Sequence, residues 1–220
     1  MKSLKEIQER LKTCHACSEM CGTPVFGNKN KTKIMLIGQA PGPHEASKGK
    51  PFAFTAGKTL FQWLNMVSGL TEEELRGQIY FAAVARCFPG KNKKGGGDRE
   101  PSSVEIANCR HFLTAEMNVL KPKVVIAVGK LAISEVLGPL LLKKSAPLTE
   151  VIGKKFSVNY QDHEIVVIPL PHPSGISTWH KKEPGKSLLV EALNQLALVN
   201  GGLSKKDATA TEAQLKTVDV

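Results

Sequence analysis

Residues 33–42, Lys33-Ile-Met-Leu-Ile-Gly-Gln-Ala-Pro-Gly42, form a short apolar run that ends on glycine and breaks into a turn. A run that is hydrophobic on both faces and too short for a helix is the pattern of a strand buried in a parallel sheet. Downstream, residues 57–69 (GKTLFQWLNMVSG) place Leu60, Trp63, Leu64 and Val67 on one helical face. Residues 79–87 (IYFAAVARC) predict a second strand, and 124–129 (VVIAVG) a third. Between these two lies FPGKNKKGGGDREP (88–101), where glycine and charge are too dense for regular structure, and then a helix opened by Pro101 and Ser102 that runs to about Leu120. KLAISEVLG (130–138) predicts a short helix, and FSVNY (156–160) with EIVVIPL (164–170) flank the polar turn QDHE as a strand pair. A helix from Gly185 to Val199 closes the domain at Gly201-Gly202. Upstream, MKSLKEIQERLKTC (1–14) predicts a polar amphipathic helix.

Strands alternating with helices imply an α/β fold, a single domain whose mostly parallel central sheet is flanked by helices in three layers, α/β/α. The expected domain spans residues 1–203, including an N-terminal metal-binding segment, and the apolar-poor stretch Ser204–Val220 is expected to be a disordered tail. No internal repeat is present. The chain of 220 residues is long enough for one substantial core. It has no apolar run of 18 residues, so no membrane partner is expected, and its polar start lacks the apolar segment of a secretory signal, so a cytoplasmic protein is expected. The formal charge is +10, from 30 Lys and Arg against 20 Asp and Glu, which suits a polyanionic partner such as nucleic acid. A monomer is the default.

In parallel α/β sheets ligands bind beyond the carboxyl ends of the strands. Three motifs follow strand ends here: Gly38-Gln-Ala-Pro-Gly42, Cys87-Phe-Pro-Gly90 and His172-Pro-Ser-Gly175. Their shared position points to one site. The five cysteines, in a chain expected to be intracellular, argue for metal ligation plus one spare rather than disulfides. Cys14-His-Ala-Cys17 has the spacing that lets two thiolates reach one centre from a tight turn, with Cys87 and Cys109 as further candidates and Cys21 as the spare. Four thiolates hold either a [4Fe–4S] cluster or a zinc ion, and spacing leaves both open. Cys87 and Cys109 also read as small buried hydrophobes.

Taken together, the chain resembles the family 4 and family 5 uracil-DNA glycosylases, the iron–sulfur branch of that superfamily. Four blocks over residues 14–199 carry the resemblance: the C-x2-C pair; Gly38-Gln-Ala-Pro-Gly42 with Gly49-Lys-Pro-Phe52 and Ala56-Gly57; Ala82-Ala-Val-Ala-Arg-Cys87 with Asn108-Cys109; and His172-Pro-Ser174. It implies a uracil-DNA glycosylase-like fold and a [4Fe–4S] cluster on Cys14, Cys17, Cys87 and Cys109, structural rather than catalytic. The implied activity is hydrolysis of the N-glycosidic bond of uracil or another deaminated base in DNA, leaving an abasic site.

The same resemblance implies the site residues. His172 is the candidate donor to the leaving base, and Phe52 the ring on which the extruded base stacks. Gly38, Gln39 and Ala40 supply backbone around the base, while Gln39, His44 and Glu45 are the candidates for positioning water. Family 4 carries Glu where this chain has Gln39, and family 1 carries Asp where it has Ala40. Family 4 also reads the uracil edge with an Asn at the position of Ala83, so a wider or altered range of bases is expected. Ser174-Gly-Ile-Ser177 resembles a segment of the mismatch-specific uracil glycosylases, which implies that Gly175 and Ile176 wedge into the duplex while Ser174 and Ser177 hold phosphates. Trp179, His180, Lys181 and Lys182 then read as a DNA-facing stretch, and Lys91–Arg99 as a loop that tracks the backbone. The alternative functions are a non-catalytic iron–sulfur DNA-binding protein of the same fold and, more remotely, a nucleotide-metabolising enzyme whose phosphate loop is GQAPG.

Overall fold

The computed structural model describes residues 3–93, 95, 97–138, 146–199 and 203. In chain order the elements are α1 (Leu4–Lys12), β1 (Ile34–Gly38), α2 (Glu45–Lys48), α3 (Thr55–Ser68), α4 (Glu72–Gln78), β2 (Ile79–Ala83), α5 (Ser103–Leu120), β3 (Val124–Val128), α6 (Lys130–Leu137), α7 (Leu148–Val151), β4 (Phe156–Tyr160), β5 (His163–Leu170), a 3-10 turn at Trp179–Lys181, and α8 (Gly185–Leu198). The strands form one sheet in the order β2-β1-β3-β5-β4. β1 pairs in parallel with β2 and β3, β3 pairs in parallel with β5, and only the edge strand β4 is antiparallel. Every residue of β1, β2 and β3 is buried, as their unbroken apolar sequences require. Helix α1 packs on α5, and α3 on α8, giving the α/β/α layering.

Local chemistry sets the element ends. Ser102 caps α5 and Glu105 reaches back to the Ser102 amide, a reciprocal capping box repeated by Thr71 and Glu74 at α4. Helix α3 begins at Thr55, two residues before the stretch 57–69 that carries its apolar stripe, and stops at left-handed Gly69. The predicted second strand is shorter than its sequence suggests: β2 stops at Ala83 because the next residues find other partners. Val84 and Ala85 donate to the carbonyls of Gly38 and Gln39, and residues 86–88 pair with residues 21–25 (Val25 N–H to Arg86 O, 2.7 Å; Cys21 N–H to Phe88 O, 2.7 Å).

The stretch Trp179–Lys182 departs from its expected DNA-facing role. His180 is only 2% exposed, its ring edge-on to Trp63 at 5.0 Å, and Trp179 packs against the core. Only Lys181 and Lys182 face solvent. The 3-10 turn folds its aromatic groups inward because Trp63 on α3 offers them an apolar surface. Gly201-Gly202 and the Ser204–Val220 tail lie outside the described residues.

One ion pair sits at the centre of this frame. The Arg86 guanidinium and the Glu116 carboxylate, 1% and 0% exposed, bond through both terminal nitrogens of Arg86, and the Tyr80 hydroxyl donates to Glu116 Oε1 at 2.7 Å. Removing one partner from such a pair leaves a buried charge without compensation. Glu116→Ala should therefore cost about 3–5 kcal/mol in urea denaturation, and the double replacement Arg86→Met with Glu116→Leu should recover part of that loss.

Candidate active site

The sheet order places the reversal of winding between β1 and β3, and a cleft of about 680 Å³ opens beyond the carboxyl ends of the strands. The three strand-end motifs meet there. Gly38, Gln39, Ala40 and Gly42 form one wall, Ala82 and Ala83 the floor, and His172, Ser174, Gly175 and Ile176 the opposite wall. Pro89, Lys91, Gly97, Asp98 and Glu100 overhang it from the segment between β2 and α5.

The chain pins the first wall twice. The Gly38 and Gln39 carbonyls accept from Val84 and Ala85. Glu45 then clamps the turn to the next loop, with Oε2 accepting from the Gly42 amide at 2.7 Å and Oε1 from the Ala53 amide at 2.9 Å. Burial raises the Glu45 carboxyl above its ordinary range, against the pull of those amides. His44 stands at the exposed rim with its ring 4.3 Å from that of Phe54.

Phe52 reaches the cleft from an unusual backbone. Its φ is +53°, a conformation disfavoured for a bulky residue and one that concentrates at functional sites. Arg76 holds it there by donating to the carbonyls of Pro51 (3.0 Å) and Phe52 (3.1 Å). The ring tip lies over Gly38, where a Cβ would come within 2.8 Å of it, so Gly38 leaves the space the ring occupies.

His172 follows β5 by two residues. Its Nδ1 accepts from the Ser174 amide at 3.2 Å, which leaves the ring proton on Nε2 and makes that nitrogen a donor in the neutral ring. Gly129, with φ +86°, gives it room, since a Cβ there would stand 3.2 Å from the imidazole. Burial is the main force holding the His172 pKa below the usual value; His180 adds to it and the Asp98 carboxylate opposes it. Beyond His172, Gly175 and Ile176 are exposed at the tip of a turn closed by the Ser177 amide on the Ser174 carbonyl, and Ile176 is 70% exposed.

A second cavity, about 230 Å³, is lined by Cys14, Cys17, Cys87 and Cys109 together with Arg86. Burial first, and then the charges of Cys109, Cys14 and Cys17, push the Cys87 thiol up to about 12. Asn108 Nδ2 donates to the Ala16 carbonyl (3.1 Å) and lies 3.5 Å from Cys17 Sγ, joining the N-terminal pair to α5. Among the described residues no three His, Cys, Asp or Glu side chains converge tightly enough to hold a single metal ion as they stand. Cys21 is exposed and lies off this cavity.

Sequence pattern did not disclose Asp98. The Lys- and Gly-rich segment reads as a flexible loop, but it folds into a small hairpin: Lys91 bridges to Asp98, the Asn92 amide donates to Gly97 O at 2.9 Å, and the Arg99 amide to Gly90 O at 3.0 Å. Arg99 anchors its base through both nitrogens to Glu105 and through Nη2 to the Glu19 carbonyl. The only hint in the sequence is the pair of opposite charges seven residues apart across the glycines.

The profile of the uracil DNA glycosylase superfamily matches residues 24–197, a span that takes in the cleft, Cys87 and Cys109 and begins after Cys14 and Cys17. A type-4 uracil-DNA glycosylase of Sulfurisphaera tokodaii is 30% identical over 178 residues, 79% of this chain and 76% of the relative. One of Saccharolobus solfataricus is also 30% identical over 178 residues, 79% and 77%. A type-5 uracil-DNA glycosylase of Pyrobaculum aerophilum is 29% identical over 121 residues, 50% of this chain and 49% of the relative.

A histidine whose pKa is lowered stays neutral at neutral pH and gains its proton only below its ordinary value. The added Nδ1 proton would then face the Ser174 amide and break that bond. Chemistry that uses neutral His172 should be insensitive to His172 from pH 9 down to the usual histidine value of about 6.5, with its acidic limb centred below it. Single-turnover rates across that range, compared with chemical-shift titration of the ring, provide the check.

Proposed function

This chain belongs to the uracil DNA glycosylase superfamily and is a DNA repair glycosylase; we propose that it extrudes a deaminated base from DNA into the cleft and hydrolyses its N-glycosidic bond through His172. The observation that carries this reading is the meeting of an Nε2–H donor, a ring held on a left-handed backbone and two pinned strand-end loops in one cleft. A base inside a stacked duplex is out of reach, so the enzyme must flip it, and the cost falls on interactions that hold the extruded nucleotide. As the bond breaks, negative charge gathers on the base and positive charge on the sugar.

His172 donates through Nε2 to the base oxygen on which that charge develops, and needs no prior protonation to do so. Phe52 provides the stacking face, and the Gly38–Ala40 backbone lies along the base edge. Glu45 acts at one remove, because its two oxygens hold the Gly42 and Ala53 amides and so fix the shape of the wall. Gln39 and His44 remain candidates for orienting water. Gly175 and the exposed Ile176 fill the gap in the duplex, with Ser174 and Ser177 beside the flanking phosphates. The basic surface and the lysines near the cleft suit DNA containing a deaminated base as the partner, in the cytoplasm and as a monomer.

Ala83 shapes selectivity. Its methyl group lies at the cleft floor and offers neither donor nor acceptor to the base edge. A floor without such groups does not reject a base that lacks uracil's pattern. The expected specificity therefore extends beyond uracil to hypoxanthine or xanthine.

For the cysteine cavity we propose a [4Fe–4S] cluster held by Cys14, Cys17, Cys87 and Cys109. Four sulfur donors around a space of about 230 Å³ suit a bulky inorganic cluster. A zinc ion, the alternative, draws its sulfurs to about 2.3 Å. The cluster's contribution here is cohesion: it ties the segment after α1 to the end of β2 and to α5. Anaerobically purified protein should carry iron and sulfide with broad visible absorbance, and Cys109→Ser should lose both. Zinc in place of iron would overturn the assignment.

The decisive assay uses labelled oligonucleotides bearing uracil, hypoxanthine or xanthine, with alkali to cleave abasic sites. Breaks at one or more of those bases are expected, and His172→Ala should slow excision ~10²–10³-fold, the cost of one lost oxyanion donor. Cluster-loaded protein that binds such DNA and leaves every base in place would instead be a non-catalytic binding protein. A strong preference for uracil alone would overturn the reading of Ala83.

A further inference from the structure

Positive charge develops at the sugar as the bond breaks, and the first wall offers it no free carboxylate. Gln39 is an amide and Ala40 a methyl, while both oxygens of Glu45 are engaged by backbone amides on the inner side of the loop. Among the described residues three carboxylates line the cleft: Glu45, Asp98 and Glu100. Asp98 stands apart in its geometry. Its Oδ1 takes the Lys91 ammonium at 2.7 Å, and its Oδ2 faces the Gly42 turn, 3.9 Å from where a Cβ on that residue would stand. Its charge is also the carboxylate charge that acts on His172 across the cleft.

The neighbours of Asp98 place it along the path of the flipped nucleotide. Gly97 is packed so close to Ile176 that a Cβ would lie 2.8 Å from Ile176 Cδ1. The exposed Ile176 marks the side on which the duplex lies, and Phe52 with His172 marks the base pocket within. Asp98 adjoins both: it follows Gly97 in the chain, and its charge acts on His172.

Building on the glycosylase reading above, we infer that Asp98 is the catalytic carboxylate of this site, holding the attacking water through Oδ2 and facing the positive charge that develops at C1′. The water oxygen bonds to C1′ as the C1′–N bond breaks, and the electron pair of that bond departs on the base, where His172 Nε2–H stabilises it. One proton of the water passes to Asp98 Oδ2 and on to solvent, and the base anion takes a proton from solvent. Lys91 holds Oδ1 and leaves Oδ2 toward the Gly42 turn. A carboxylate is thereby supplied from the hairpin between β2 and α5.

The test compares wild type, Asp98→Asn and Asp98→Ala in single-turnover excision of the wild type's preferred base. Binding of each to a duplex with an uncleavable 2′-fluoro analogue of that nucleotide is measured alongside, with visible absorbance to verify folding. Asp98→Asn should excise ~10²-fold more slowly or worse, as for a lost general base, with analogue binding retained. Sodium formate should restore part of the Asp98→Ala rate, which it would not do for a residue that only shapes the hairpin. Wild-type excision matched by Asp98→Asn overturns the inference alone. So does a rate loss mirrored by an equal loss of analogue binding without formate rescue. A wild type that excises no base in the panel overturns the glycosylase reading and this inference with it.

Discussion

The buried pair of Arg86 and Glu116 is the constraint around which both cavities are arranged. Two opposite charges out of water persist only if each satisfies the other, so the end of β2 and the middle of α5 are held at one separation. Everything attached to residues 82–88 inherits that placement. Ala82 and Ala83 floor the cleft, Val84 and Ala85 lock the wall at Gly38 and Gln39, Arg86 and Phe88 pair with the N-terminal segment, and Cys87 faces Cys109. Arg86 Nε is buried without a protein partner and belongs to the residue that lines the cysteine cavity, so the charge that secures the fold also borders the sulfur site.

This arrangement explains how a small domain holds a polar site at the edge of a dense core. The strand bodies are apolar on both faces and contribute rigidity, while the chemistry is confined to the residues just past their ends. There the backbone groups that a strand would have paired are redirected: Gly38 and Gln39 carbonyls to Val84 and Ala85, the Gly42 amide to Glu45, and the Ser174 amide to His172. Each redirected bond fixes a group that lines the cleft. In His172 it sets the tautomer; in the Gly42 turn it shapes the wall against which a base would lie. The strained Phe52 backbone persists because Arg76 over-determines it from α4.

The regular elements were largely legible in the sequence. The runs at 33–38 and 124–129 are strands because no helix face could leave them polar-free, and Ser102 with Glu105 marks the start of α5 through a purely local reciprocal bond. The meeting of His172 with the Gly38 turn follows from the rule that parallel strands gather their carboxyl ends. The early end of β2 was not legible, since Val84–Cys87 have strand composition and leave the sheet only for partners distant in sequence. Trp179 and His180 read as solvent-facing because nothing local announces the apolar surface of Trp63.

The sequence by itself therefore determined the layers, the strand-end positions of the site and the residue types available to it, because these depend on periodicity and nearest-neighbour chemistry. Only the tertiary structure decided which carboxylates reach the cleft and what holds them there. Glu45, close to the motif in the chain, is consumed by backbone amides, whereas Asp98, hidden in a glycine- and lysine-rich stretch, is carried over the cleft by a hairpin anchored through Arg99 to Glu105 and residue Glu19. Charge acts through space, and the distance between two side chains is set by how the chain packs rather than by their separation along it.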